Sequence, residues 1–60
     1  MLFMSRYGEL QALVESLQED FEKFYDGGNK AAGTRVRKGM LEIREMAQNI
    51  RKEVQELKNK

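Results

Sequence analysis

Apolar side chains recur along the chain in alternating steps of four and three residues, the spacing of a helix face that packs on another helix. Two runs show this spacing, and the sequence DGGN at residues 26–29 separates them. The first run is Phe3, Tyr7, Leu10, Val14, Leu17, Phe21 and Phe24. The second run is Gly33, Val36, Met40, Ile43, Ala47, Ile50, Val54 and Leu57.

The segment DGGN is the strongest turn signal in the sequence. Gly27 or Gly28 can end the first helix in the left-handed region, and the Asn29 side chain can cap the second. We therefore predict an all-α fold, an antiparallel helical hairpin with coiled-coil-like packing. Its helices span about residues 3–26 and 30–58, and residues 1–60 form a single domain.

Antiparallel pairing around the turn predicts which side chains oppose each other. The predicted layers are Phe24–Gly33, Phe21–Val36, Leu17–Met40, Val14–Ile43, Leu10–Ala47, Tyr7–Ile50 and Phe3–Val54. Gly33 then makes room for the Phe24 ring, as dense packing requires. Gly39 costs its helix about 1 kcal/mol relative to alanine. This cost indicates close approach by another group, and a neighbouring helix is the more common reason.

Leu13, Leu41 and Met46 lie beside the two runs and widen the apolar stripe. A lone hairpin of 60 residues covers only one face of each helix, and a chain this short buries little core. The chain has no Cys and no His, which excludes disulfides and the usual zinc ligands as reinforcement. We therefore predict a homodimer, most simply a dimeric four-helix bundle, or a higher oligomer.

Charge is distributed unevenly between the two halves. Residues 1–28 carry two cations and six anions, whereas residues 29–60 carry nine cations and four anions. Part of the positive charge recurs every seven residues along the second helix, over about 42 Å at 1.5 Å per residue. We call this set the basic stripe: Lys30, Arg37, Arg44, Arg51 and Lys58.

The first helix offers the basic stripe no acidic partner. The positions that face the stripe across an antiparallel pair are Met4, Gln11, Gln18 and Tyr25. The acids Glu9, Glu15, Glu19, Glu22 and Asp26 fall on the outer surface. Either a second subunit or a polyanion is then expected to neutralise the stripe.

Catalytic chemistry is not indicated. There is no His or Cys, no Glu-x-x-His pattern for a di-metal site, and no Walker A spacing in GNKAAGTR. We expect no enzyme activity, no metal, no cofactor and no small-molecule substrate. The opening MLFM is too short for a signal peptide or a membrane span, and the acidic first helix disfavours an anionic membrane surface.

The sequence GNKAAGTRVRKGM, followed by LEIREMAQNIRKEVQELK, resembles the bacterial linker-histone-like family, the chlamydial type of histone-like nucleoid protein. LVESLQEDFEKF resembles the opening helix of that family, so the resemblance covers about residues 10–58. The matching core positions are Gly28, Asn29, Lys30, Ala31, Ala32, Arg35, Val36 and Arg37. The resemblance also implies a long Lys/Ala-rich tail as the main DNA-binding element, and from the ending KNK we expect a short form that lacks it. We therefore expect weaker DNA binding, or binding by an oligomer that pools several stripes.

The resemblance implies a nucleoid-associated, cytoplasmic protein that binds duplex DNA through its backbone, with little sequence specificity, and helps to compact the nucleoid. The alternative is a structural or protein-interaction bundle whose stripe is neutralised by acids of a sister chain. The predicted DNA-binding residues are Lys30, Thr34, Arg35, Arg37, Lys38, Arg44, Arg51 and Lys52.

Overall fold

A computed structural model of the protein describes residues 6–59, which form three α-helices. These are α1 (Arg6–Ser16), α2 (Gln18–Tyr25) and α3 (Lys30–Lys58). α1 and α2 follow each other as one arm, and both pack against α3. The all-α fold and the helical hairpin are confirmed.

The turn between the arms has the predicted chemistry. Gly28 adopts a positive φ of 68°, which a residue with a Cβ rarely tolerates. Its amide donates to the Phe24 carbonyl at 2.9 Å. Asn29 caps α3, because its side-chain oxygen accepts a hydrogen bond from the Ala32 amide at 3.1 Å. The turn therefore ends one helix and starts the next with local contacts alone.

The predicted first helix over residues 3–26 is bent in the structure, because it is interrupted at Leu17 between α1 and α2. The Leu17 amide donates to the Val14 carbonyl at 3.1 Å, a tighter turn than an α-helix makes. Beside it, the Ser16 hydroxyl donates to the Leu13 carbonyl at 2.6 Å. Such a serine contact competes with the helical ladder and bends the helix. Residues 3–5 of the predicted helix lie outside the described residues.

The face of α3 that packs on the first arm differs from the predicted face by a rotation of about one residue. Leu17 is 8% exposed and packs on Gly39, where a Cβ would come within 2.5 Å of its methyl carbons. The predicted Leu17–Met40 layer is therefore wrong, and Met40 is 40% exposed. The Phe24–Gly33 layer is confirmed, since a Cβ on Gly33 would lie 2.6 Å from the Phe24 ring.

The same rotation exposes apolar residues that were predicted to be in the core. Tyr7 is 72% exposed and Val14 is 51% exposed, while Ala32, Val36 and Gly39 are buried. The predicted Phe3–Val54 layer involves a residue outside the described range. The positions of α3 that turn towards the first arm are Ala32, Gly33, Val36, Gly39, Ile43, Met46, Ile50 and Glu53.

Two ion pairs join the arms at the edges of this contact. Arg6 binds Glu53 with its Nε at 2.9 Å from one carboxylate oxygen and a second contact from Nη2. Hydrogen bonding to Arg6 lowers the pKa of Glu53, and the same contact raises the pKa of Arg6. Near the turn, Arg35 Nε lies 2.9 Å from the Asp20 carboxylate. These pairs join the two arms near both ends of the hairpin.

The hairpin is one helix layer thick. Its extents are 48 × 20 × 12 Å, and the smallest is close to the diameter of a single helix with its side chains. Because domains usually bury their apolar faces between two layers, a single layer leaves both broad faces uncovered. Its buried hydrophobic residues within the described part are only Leu17, Ala32 and Val36. The four-helix bundle therefore remains a prediction.

Candidate polyanion-binding surface

The long helix α3 carries the basic stripe, and each of its members is exposed. α3 continues without a break from Lys30 to Lys58, so a seven-residue spacing keeps these side chains near one line. The stripe positions directly follow Val36, Ile43 and Ile50, which turn towards the first arm. At 100° per residue, the stripe points away from that contact and towards solvent.

Acidic residues of the same hairpin do not neutralise this stripe. Among residues 6–59, the ion pairs are Arg6–Glu9, Arg6–Glu53, Lys23–Glu19 and Arg35–Asp20. In that part of the chain, seven cations of α3 have no carboxylate in salt-bridge contact: Lys30, Arg37, Lys38, Arg44, Arg51, Lys52 and Lys58. Five of these seven form the stripe, so α3 presents a line of positive charge without a salt-bridge partner among residues 6–59.

Exposed apolar side chains lie directly beside the stripe. We call them the apolar row, which consists of Tyr7, Val14, Met40, Ala47 and Val54. On α3, each stripe residue from Arg44 onward follows a row residue by four positions, a rotation of about 40° at 100° per residue. Charge and apolar surface therefore share one broad face of the hairpin.

The two broad faces differ in chemistry. On the first, Tyr25 of α2 borders a shallow groove whose α3 side includes Arg37, Lys38, Met40, Leu41 and Arg44. We call this the apolar face. On the second, a groove has Asp20 from the first arm and Arg35, Lys38 and Glu42 from α3 among its lining residues. Cations and acids are thus mixed on the second face, whereas the stripe borders the apolar face.

The remaining predicted DNA-binding residues occupy different surroundings. Arg35 is held by Asp20 and is therefore less free to reach a phosphate than the stripe arginines. The Thr34 hydroxyl donates to the Lys30 carbonyl at 3.3 Å within α3. Lys38 and Lys52 are exposed, one residue beyond the stripe positions Arg37 and Arg51. The structure brings the stripe together as a line and places these four at its margins.

Sequence reasoning missed the roles of two acids. Asp20 and Glu53 are each committed to an arginine across the hairpin. Their sequence positions could have indicated these roles. Each acid directly precedes a residue of an apolar run, and the observed contact between the arms is rotated towards that side. Among residues 6–59, no group of three acidic side chains converges as a metal site. In the same residues, no helix is both long enough and apolar enough to span a membrane.

The hairpin and its unneutralised stripe define a small helical protein with a candidate polyanion-binding surface. The family model described as "Histone H1-like protein Hc1" matches residues 4–60, so the chain belongs to this histone H1-like family. The resemblance seen in the sequence is thereby confirmed. No curated protein and no solved structure matches the chain.

Proposed function

We propose that the protein binds the backbone of duplex DNA through the basic stripe, with little sequence specificity, and helps to organise the nucleoid. The observation that carries this proposal is the line of exposed cations on α3, which have no carboxylate in salt-bridge contact among residues 6–59. Lysine and arginine at such positions neutralise phosphates and release counterions. Membership of a histone H1-like family supports the same partner.

Low sequence specificity follows from the kind of groups that the surface offers. The stripe contains only lysine and arginine on the side of one straight helix, and phosphate contacts position a protein without reading bases. A helix edge of about 42 Å follows the backbone over roughly one helical turn of DNA. Thr34, Lys38 and Lys52 would add contacts at the margins of the stripe, and Arg35 would do so only beside its contact with Asp20.

Self-association is the second part of the proposal. We propose that two hairpins pack into a four-helix bundle, with their apolar rows as the new core. The one-layer thickness of 12 Å and the exposure of Tyr7, Val14 and Val54 support it. The proposed location, at the nucleoid in the cytoplasm, follows from the DNA-binding role and from the family.

The test is the salt dependence of binding. We expect the affinity for a random-sequence duplex to fall as salt rises, with a slope of log affinity against log salt of about −0.9 per phosphate contact. Five stripe contacts would give a slope of about −4 to −5. Fluorescence anisotropy of a labelled duplex measures it. Affinity that does not change with salt, or no binding at low salt, would exclude the proposal.

A structural module without a nucleic-acid role is the second candidate. It is favoured by the acidic character of the first arm, which carries six acids against two cations in residues 6–27. If a structure of the oligomer places Arg37, Arg44 and Arg51 within salt-bridge distance of Glu15, Glu19 or Glu22 of the sister chain, this candidate replaces DNA binding.

A further inference from the structure

The apolar face has a surface that a second copy of the chain fits better than DNA does. Met40, Val14 and Val54 contain no group that binds phosphate, yet they are between 40% and 51% exposed. The hairpin is only one layer thick, so burying this row requires another layer. A second hairpin supplies the same row and would bury it on both copies.

Charge selects the orientation of the second copy. The first arm, residues 6–27, has a net charge of −4, whereas α3 has a net charge of +4. Two face-to-face arrangements have two-fold symmetry. In one, α3 lies on the partner's α3 and the two basic stripes repel each other. In the other, α3 lies on the first arm of the partner, and the opposite net charges attract.

The favoured arrangement keeps the stripe accessible. On the first arm, the positions equivalent to the stripe are Gln11, Gln18 and Tyr25, which follow Tyr7, Val14 and Phe21 by four residues. These neutral side chains would lie next to the partner's arginines at the edge of the bundle. They carry no carboxylate, and the acids beside them, Glu15 and Glu22, accept hydrogen bonds from Gln11 and Gln18 of their own helix. The partner's arginines are then left available to bind a ligand.

The same arrangement determines where the two stripes lie. When each α3 lies on the partner's first arm, the two α3 helices are diagonal in the bundle. Their stripes then run along opposite edges. We infer that the dimer holds one DNA duplex on each edge and thus bridges two duplexes. This inference rests on the proposed DNA binding and adds the geometry of the complex.

A capture assay tests bridging directly. One duplex is fixed to beads, and a second, fluorescent duplex is recovered only if the protein binds both. We expect the wild-type protein to recover the second duplex at protein concentrations that saturate the first. If the wild-type protein binds a single duplex with the expected salt dependence but recovers none of the second, the bridging inference is wrong while DNA binding stands.

Met40→Glu and Gln48→Glu form a matched pair for this assay. Both residues are exposed on α3, and both variants add one negative charge beside the stripe, since Met40 lies between Arg37 and Arg44 and Gln48 lies between Arg44 and Arg51. Only Met40 belongs to the apolar row, so only Met40→Glu would bury a carboxylate in the dimer. We expect Met40→Glu to lower recovery at least about 10-fold, and Gln48→Glu to stay within about 2-fold of wild type. Equal recovery by the two variants would overturn the proposed interface.

Disulfide trapping tests the orientation, since the chain has no Cys of its own. Leu17 contacts Gly39, so these two residues lie at the same height along the hairpin. Gln11 lies six residues before Leu17 and Arg44 lies five after Gly39, so Gln11 and Arg44 also lie at similar heights. A mixture of Gln11→Cys and Arg44→Cys proteins should form mixed disulfide dimers. Arg44→Cys alone should not. Efficient crosslinking of Arg44→Cys to itself would place α3 on α3 and both stripes on one edge, contradicting the bridge.

Discussion

Replacing Arg37 and Arg44 together by glutamate is expected to reduce the affinity for duplex DNA by about 60-fold or more at 0.1 M salt. Each phosphate contact contributes about 0.9 to the slope of log affinity against log salt, so two lost contacts correspond to about 1.8 log units at that concentration. The new carboxylates add repulsion. Anisotropy titrations at several salt concentrations should show the slope reduced by about 2.

The matched control is Lys38→Glu with Lys52→Glu, which changes the net charge by the same amount on the same helix. These lysines have no carboxylate within salt-bridge distance in the described part of the chain, and they lie one residue beyond the stripe. We expect a loss of at most about 8-fold, the value of a single contact at 0.1 M salt. Equal losses in the two double variants would mean that overall charge, and not the stripe, determines binding.

Gly39→Leu is expected to destabilise the hairpin by about 2 kcal/mol. Even a Cβ at this position would come within 2.5 Å of both Leu17 methyl carbons, and Leu17 is one of the few buried side chains. Overpacking of this kind costs about 1–3 kcal/mol, and further side-chain atoms raise it towards the upper end. The gain of about 1 kcal/mol in helix propensity offsets part of the cost. Urea unfolding at fixed protein concentration, followed by circular dichroism, measures the change.

The cause of this loss can be isolated by shortening the opposing side chain. Leu17→Ala alone should cost about 2–5 kcal/mol, but in the Gly39→Leu background it should restore stability. The double-mutant cycle should give a coupling energy of about 1–3 kcal/mol. Gly33→Leu is the comparison, because the Phe24 ring that it meets is 39% exposed and can turn outward at lower cost. If Leu17→Ala worsens Gly39→Leu additively, the close contact does not explain the glycine.

The turn and the helix pattern could be predicted because they depend on local chemistry. Gly28 and Asn29 act through backbone groups within a few residues, so the sequence DGGN is enough to predict their roles. The close contact at Gly39 could also be predicted, because glycine within a helix lowers its stability and is therefore expected where another group approaches closely. The structure identifies that group as Leu17.

The antiparallel direction of the arms was predicted, but the rotation of each helix about its own axis was not. Apolar residues alone do not show which of two adjacent helix faces packs against the other arm. Small residues decide it here, since Ala32 and Gly39 allow α3 to approach the first arm more closely than Met40 would. The ion pair of Arg6 with Glu53 supports the same side. The bend at Leu17 was also missed, since a single serine contact does not change the hydrophobic spacing.

The sequence predicted self-association, but not which residues stay exposed for it. The prediction was made because the apolar stripe was too wide to be covered by the two helices of one hairpin. The structure shows which residues remain uncovered, and they include the apolar row that was expected to pack inside the hairpin. In a small chain, apolar residues spaced by four and three can pack within one copy or between two copies. Only the neighbouring side chains show which of the two contacts forms.

The most direct measurement of the central claim is a site-resolved titration of the arginine side chains. The chain is small enough, at 7.0 kDa, for its five arginine Nε–H groups to be followed by NMR as a duplex is added. We predict that Arg37, Arg44 and Arg51 shift together with DNA, whereas Arg6 and Arg35 keep the signals of their ion pairs with Glu53 and Asp20. No change at the three stripe arginines, or changes confined to the two paired ones, would contradict DNA binding by the basic stripe.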